Sequence, residues 1–257
     1  MTNHIHVERQ DRILRVRFNR PDRKNALTHA MYTALGDALE LASHDDDIRC
    51  VLFAGDRDCF TAGNDLADFL KGLPGDFADT PVGRFLVLLA TATKPVVAAV
   101  NGPAVGIGTT MLLHCDMVYA GDNARFQMPF ASLGLCPEGA SSLLLPSWLG
   151  RARASELLML GEAFSADDAL RLGLINRTCS PDETEQLALE TCQKLAEKAP
   201  SAIRATKALL TEPTQEQIKR TMMTEGALFS ERLKTPEAAE AFRAFMEKRK
   251  PDFSSFR

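Results

Sequence analysis

An α/β fold with a helical C-terminal region is predicted for this 257-residue chain. Three observations carry that prediction. Apolar runs at 49–55 and 95–101 end in turn residues, as strands covered on both faces of a parallel sheet do. Apolar residues at helical spacing fill much of the sequence between them. Beyond about residue 180 strand patterns cease and helical periodicity takes over.

Taken in order, 13–18 alternates apolar and polar residues, which predicts a half-buried strand. Residues 28–42 follow as a helix with Thr28 as N-cap and Met31, Leu35, Ala38, Leu39 and Ala42 on its buried face. A second helix is predicted over 81–93, between the two apolar strands at 49–55 and 95–101. Residues 118–120 form a further short strand, and Ile175 begins another connection to the sheet. Helices are expected over 183–198, 201–210, 215–233 and 236–248, the last opened by Thr235 as N-cap and Pro236 at the first helical position.

Composition narrows the partners. A net charge of -4 and a pI near 5.8 give no basic footprint for nucleic acid or a membrane surface. The six cysteines (50, 59, 115, 136, 179 and 192) form no CxxC pair and no cluster with the five histidines. That spacing speaks against zinc and a disulfide framework, and for reduced thiols in a cytoplasmic protein. The N-terminal residues carry no apolar targeting segment, and no later run approaches the ~18 apolar residues of a membrane span.

Chemistry is expected at two glycine-bearing turns, Phe60-Thr-Ala-Gly-Asn-Asp-Leu66 and Asn101-Gly-Pro-Ala-Val-Gly-Ile-Gly-Thr-Thr-Met111. A strand, a glycine turn and a helix start leave backbone N–H groups free to meet a phosphate or a developing oxyanion. Close packing of helix on sheet explains such glycines equally well. A dinucleotide fingerprint fails because Met111 occupies the third glycine position after Gly106 and Gly108. No P-loop occurs, and Gly139-Ala-Ser141-Ser-Leu143 lacks the second glycine of a nucleophile elbow. His114 reads as a packed core histidine, and His4, His6, His29 and His44 as surface positions. Glu138 is the lone carboxylate between Asp122 and Glu156. By itself it reads as a first-turn acid placed by the dipole of the helix that follows.

Four segments, in order, bear a resemblance to a known family: Asn19-Arg-Pro-Asp-Arg-Lys-Asn-Ala-Leu27, Phe60 to Leu66, Lys94-Pro-Val-Val-Ala-Ala-Val-Asn-Gly102, and Ala120 onward to Gly173-Leu174. They span nearly the whole chain and resemble the crotonase (enoyl-CoA hydratase/isomerase) superfamily. The resemblance implies a core of repeated ββα units over 1–195 and a helical region over 196–257 that covers the pocket and builds trimers or dimers of trimers. It implies an acyl-CoA thioester substrate and neither cofactor nor metal. It assigns the oxyanion-hole donors to the backbone N–H groups of Asn64 and Ile107. Ala62, Gly63, Asp65, Leu66, Gly106 and Phe130 fall around the substrate, although Asp65 also reads as the N-cap of a short helix. Lys24 and Lys248, with Arg23, Arg249 and Lys250, are candidates for the CoA phosphates or else solvated surface charges. The loop at 67–84 is expected to shape the pocket.

The resemblance also discriminates between reactions. Hydratases of the family hold water between two glutamates, whose positions here are Thr110 and Phe130. Neither can ionise. Isomerases that convert 3-enoyl-CoA to 2-enoyl-CoA need a single acid/base in a dry pocket, and the segment 126–139 resembles the peroxisomal-type isomerases, whose acid falls at Glu138. Dienoyl isomerases use a second carboxylate that would fall at Phe130. A catalytically silent acyl-CoA-binding member, or another crotonase chemistry such as hydrolysis or C–C cleavage, remain the alternatives.

Overall fold

The computed structural model describes residues 2–69 and 77–256. Residues 70–76 of the loop at 67–84 lie outside the described residues. The chain opens with an antiparallel hairpin of β1 (Ile5–Gln10) and β2 (Ile13–Phe18), followed by α1 (His29–His44), β3 (Cys50–Ala54) and α2 (Leu66–Phe69). There follow α3 (Pro81–Ala90), β4 (Val96–Val100), β5 (Pro103–Val105), α4 (Ile107–Thr110), β6 (Met117–Gly121) and β7 (Arg125–Gln127). After these come α5 (Ser141–Leu149), α6 (Arg151–Ser155), β8 (Phe164–Ser165), α7 (Ala166–Arg171) and β9 (Arg177–Cys179). The chain finishes with α8 (Thr184–Ala196), α9 (Pro200–Arg232) and α10 (Pro236–Met246).

The main sheet has the order β1-β2-β3-β4-β6-β9, parallel throughout except for the β1–β2 hairpin. A smaller sheet runs β5-β7-β8. Period-2 alternation sorts the strand residues between two apolar layers. Leu14, Val16, Val51, Phe53, Val96 and Ala98 face α1 and α3 in the larger core. Ile13, Cys50, Leu52, Val97 and Ala99 face α8 with Ala188 and Cys192. Every residue of β3 and β4 is buried, as their continuous apolar runs predict. Thr28 and Thr235 both cap their helices, accepting from the Met31 and Ala238 N–H groups at 3.3 Å.

The structure departs from the sequence reading in three places. The two helices expected at 201–210 and 215–233 are a single helix, α9, which continues through Pro213. A proline inside a helix costs about 3 kcal/mol, and anchors on both sides of Pro213 offset it. N-terminal to it, buried Lys207 donates to Asp116 at 2.6 Å and to the Lys94 carbonyl at 2.9 Å; C-terminal to it, Ile218, Met222 and Glu225 are buried. Second, β1, β5, β7 and β8 were not expected, because they are short or, in β1, buried only at Ile5. Third, His29 is not a plain surface residue. It is half-buried, its N–H donates to Asp68 at 2.7 Å, and its ring Nδ1 lies 3.4 Å from the same carboxylate.

Phe60 follows β3, is wholly buried, and packs edge-on to Phe18 with ring centroids 5.0 Å apart. Phe60→Ala is expected to cost about 3–5 kcal/mol of unfolding free energy, measurable as a lowered urea midpoint.

Candidate active site

Two loops leave the same end of neighbouring strands β3 and β4 and meet. The first is held by Asn25, buried in a left-handed conformation with φ of 54°. Its side-chain amide accepts from the Arg20 N–H at 2.8 Å and donates to the Cys59 carbonyl at 3.0 Å. The Thr61 hydroxyl donates back to the Asn25 carbonyl at 2.7 Å, and the Ala62 N–H donates to the Lys24 carbonyl at 2.9 Å. Isolated parallel bridges then join Leu27 to Asn64 and Thr61 to Ala104.

Close approach of the two loops requires their glycines. Gly63 sits at φ of 90°, and a Cβ there would lie 2.8 Å from the Val105 carbonyl oxygen. A Cβ on Gly108 would lie 2.7 Å from the Thr61 methyl. Gly106, at φ of 57° and ψ of -116°, turns the second loop into α4 and donates to the Gln127 carbonyl at 2.8 Å. Ile107 is therefore the first residue of α4, where no intrahelical acceptor exists for its N–H. The Asn64 bridge uses the Gly63 carbonyl and the Asp65 N–H, so the Asn64 N–H points the other way. Neither the Asn64 nor the Ile107 N–H has a protein acceptor among the described residues. The Asn64 side chain accepts from the Tyr32 hydroxyl at 2.5 Å, which fixes the loop against α1.

Glu138 lies beside the second loop and is 8 % exposed. Its Oε1 accepts a short hydrogen bond from the buried Thr110 hydroxyl. Gly139 and Ala140 both adopt left-handed conformations, and a Cβ at Gly139 would approach the Thr110 side chain to 3.3 Å. This tight turn presses the acid against α4. Burial pushes the Glu138 carboxyl from its ordinary 4.5 up to about 8; the Thr110 bond opposes the rise, and the charge of Glu225 adds to it. Tyr32 is held well above its usual range by burial and by the charge of Glu138, which locates the Asn64 partner in the same electrostatic neighbourhood. His114 Nε2 lies 2.7 Å from the Gly139 carbonyl, and burial drives its ring down to about 4. A carbonyl can only accept, so Nε2 carries the proton of a neutral ring. The core reading of His114 agrees with this burial.

Phe130 is 5 % exposed and stands edge-on to Phe229 of α9 with ring centroids 6.3 Å apart. Its ring edge comes within 4.0 Å of where a Gly106 Cβ would be. An aromatic wall therefore stands beside the second loop. Asp65 caps α2 by accepting from the Asp68 N–H at 3.1 Å and pairs with Arg20 at 2.7 Å. Ala62 and Leu66 flank these loops, both half-buried.

The charged candidates separate. Lys24 is exposed on a cleft of about 630 Å³ shared with Arg17, Pro21, Arg57 and Pro103. Arg23 is exposed beside it, 3.9 Å from Asp22. Lys248 and Lys250 are exposed beyond α10, away from that cleft, whereas Arg249 is tied to Glu240 and Glu247 at 2.6 Å each. Its guanidinium is already neutralised. The sequence reading missed Tyr32, the donor role of Thr110, and Glu225. No spacing signal marks a glutamate in mid-helix, so Glu225 had none to offer. Asn25 was visible only inside the 19–27 segment.

Among the described residues no group of three or more His, Cys, Asp or Glu residues could hold a metal, and no helix is long and apolar enough to cross a membrane.

The fold, with two backbone N–H groups on neighbouring loops that lack protein acceptors among the described residues and a buried acid at the second of those loops, is that of a crotonase-family acyl-CoA enzyme. The chain belongs to the enoyl-CoA hydratase/isomerase family, whose model matches residues 8–256. It is similar to 2,3-dehydroadipyl-CoA hydratase of Escherichia coli K12, 35% identical over 96% of this chain and 97% of that one. It is equally similar to human enoyl-CoA delta isomerase 2, 35% identical over 95% of this chain and 63% of that protein's length. Among solved structures, Pseudomonas aeruginosa OdaA superimposes with a TM-score of 0.92 at 48% identity, covering 95% of this chain and 99% of that one. An enoyl-CoA hydratase/isomerase from Pseudoalteromonas atlantica T6c gives 0.93 at 43%, covering 98% and 100%.

Unfolding returns the Glu138 carboxyl from about 8 to its ordinary 4.5. Between those pH values the folded state binds the extra proton, so this group's contribution to stability is full below 4.5 and declines as pH rises through 8. Glu138→Gln removes the dependence. Its unfolding free energy, compared with that of the natural protein in urea titrations, should improve steadily from pH 5 to pH 8, by up to ~1.4 kcal/mol per pH unit.

Proposed function

We propose that this protein is a Δ3,Δ2-enoyl-CoA isomerase. The observation that carries the reading is the buried carboxylate of Glu138 against Thr110, with Thr110 and buried Phe130, neither of them an acid, at the two positions where a hydratase would hold its water. The thioester carbonyl of a 3-enoyl-CoA accepts from the Asn64 and Ile107 N–H groups. Glu138, in its ionised form, removes a proton from C2, and the electron pair delocalises through the carbonyl into a dienolate. Protonated Glu138 then delivers that proton to C4, leaving the double bond between C2 and C3. Losing one oxyanion donor costs about 3 kcal/mol of transition-state stabilisation. An acid near neutrality serves both transfers, since proton donor and acceptor strengths are then balanced at working pH.

Phe130 and Phe229 exclude water from the side on which hydration would begin. Gly63, Gly106, Ala62, Asp65 and Leu66 shape the loops around the thioester. Lys24, on its cleft, and Lys248, past α10, are the proposed cations for the CoA phosphates, with no cofactor or metal. Exposed apolar residues at Leu209, Leu210, Phe245 and Met246 of α9 and α10 support assembly into a trimer or dimer of trimers through the 196–257 region. The six free thiols fit a cytoplasmic protein.

Purified protein should convert a 3-enoyl-CoA to its conjugated isomer, followed by ultraviolet absorbance, and should hydrate crotonyl-CoA slowly by comparison. Rapid hydration would overturn the isomerase reading. Glu138→Gln should lower kcat by about 10²–10⁴. Because the base form is required, kcat/KM should rise with pH to a plateau above about 8.

A further inference from the structure

The N-terminus of α5 has no cap of its own. Its N-cap position is Ala140, left-handed and without a side chain that can accept. Its amides are satisfied instead from α9. Glu225 Oε2 accepts from the Ala140 N–H at 2.6 Å, and Oε1 accepts from the Ser142 N–H at 3.0 Å and from the Ser142 hydroxyl. The Glu225 side chain is buried. The same stretch of α9 holds the preceding loop, through Arg232 Nε to the Gly134 carbonyl at 3.0 Å and the Cys136 thiol to the Glu225 carbonyl at 3.8 Å.

We propose that Glu225 is a positioning residue for Glu138: it caps α5 from another helix and so locks the 138–142 turn that presents the acid to Thr110 and the pocket. The inference rests on the reading of Glu138 as the proton shuttle. The turn needs such a lock. Gly139 and Ala140 occupy left-handed conformations in succession, and the alanine pays a steric penalty there that surrounding contacts must offset. Glu225 takes hold of the residues directly after this strained pair. A bidentate carboxylate that spans Ala140 and Ser142 fixes both the peptide orientation at 140 and the start of α5.

The same carboxylate bears on the charge of Glu138. The titratable groups around Glu138 and its turn are Tyr32 from α1, His114 after α4, which bonds the Gly139 carbonyl, Cys136 in the same loop, and Glu225 from α9. Burial keeps Tyr32 and Cys136 protonated, the latter at about 11, and keeps the His114 ring neutral. Burial also raises Glu225, but hydrogen bonds from the Ser142 hydroxyl and N–H and from the Ala140 N–H oppose that and stabilise its ionised form. With both of its oxygens accepting from donors on the turn, Glu225 is the neighbour whose charge raises Glu138.

Glu225→Gln is nearly isosteric and tests both effects. Its amide NH2 would oppose an N–H donor, so the lock loosens while the volume is kept. Isomerisation should be followed across pH, alongside 13C carboxyl NMR of glutamate-labelled protein with the Glu138 signal assigned by its loss in Glu138→Gln. The expected result is a ten- to a hundredfold fall in kcat with KM changed less than about twofold, and a Glu138 titration midpoint moved to lower pH. An unmoved midpoint, or a change confined to the melting temperature, overturns the proposal. If the natural protein lacks isomerase activity, the isomerase reading fails, while the NMR titration still decides whether Glu225 governs Glu138.

Discussion

Everything at the site depends on two loops being able to touch. Gly63 lies against the Val105 carbonyl and Gly108 against the Thr61 side chain, each with no room for a Cβ. That contact brings together the two loops that carry Asn64 and Ile107, although the loops follow different strands. The sheet supplies the frame: β3 and β4 are adjacent and parallel, so both loops emerge at the same edge. Asn25 and Tyr32 then lock the first loop from outside, through the Cys59 carbonyl and the Asn64 side chain. The Asn64 donor is left free because Leu27 takes up the Gly63 carbonyl and the Asp65 N–H on either side of it, and the Ile107 donor because that residue opens α4.

The second constraint is the burial of an acid without a cation. An isolated buried charge is costly, and the usual outcome is a raised carboxyl pKa. Glu138 follows that rule, at about 8. Its hydrogen bond from Thr110 stabilises the charged form only in part. The result is a group that can lose and regain a proton near neutrality, which is the property a shuttle between two carbons of one substrate requires. The stability cost of such a group at neutral pH is borne by a core that runs without a break from the β strands through Ile218, Met222 and Phe242 of the C-terminal helices.

Much of this arrangement was legible from residue order. The apolar runs gave β3 and β4, the N-cap threonines gave the starts of α1 and α10, and Glu138, isolated in an apolar stretch, lies buried. What stayed hidden has physical reasons. Local propensity reads Pro213 as a break, yet packing of Lys207 on one side and Met222 on the other carries α9 through it. Short strands such as β5 and β8 exist because partners across the small sheet pair with them, and no periodicity develops over two or three residues. His29 became half-buried because Asp68, far along the chain, folds back onto the start of α1. Glu225 is an ordinary polar residue in a helical pattern until the fold sets it beside the uncapped start of α5.

That last case shows how the C-terminal helices enter the chemistry. They could have been a cover, with the acid built wholly from the α/β core. Instead the Glu138 turn contains a left-handed alanine and a helix start without a cap, and both are completed from α9. Phe229, one turn further along the same helix, packs on Phe130, the residue at the position where the family resemblance implies a hydratase glutamate. One helix therefore completes the turn that carries Glu138 and packs on Phe130. On the proposed isomerase reading, the packing of α9 bears on the choice between adding water and moving a double bond as much as the identity of the residue at position 138 does.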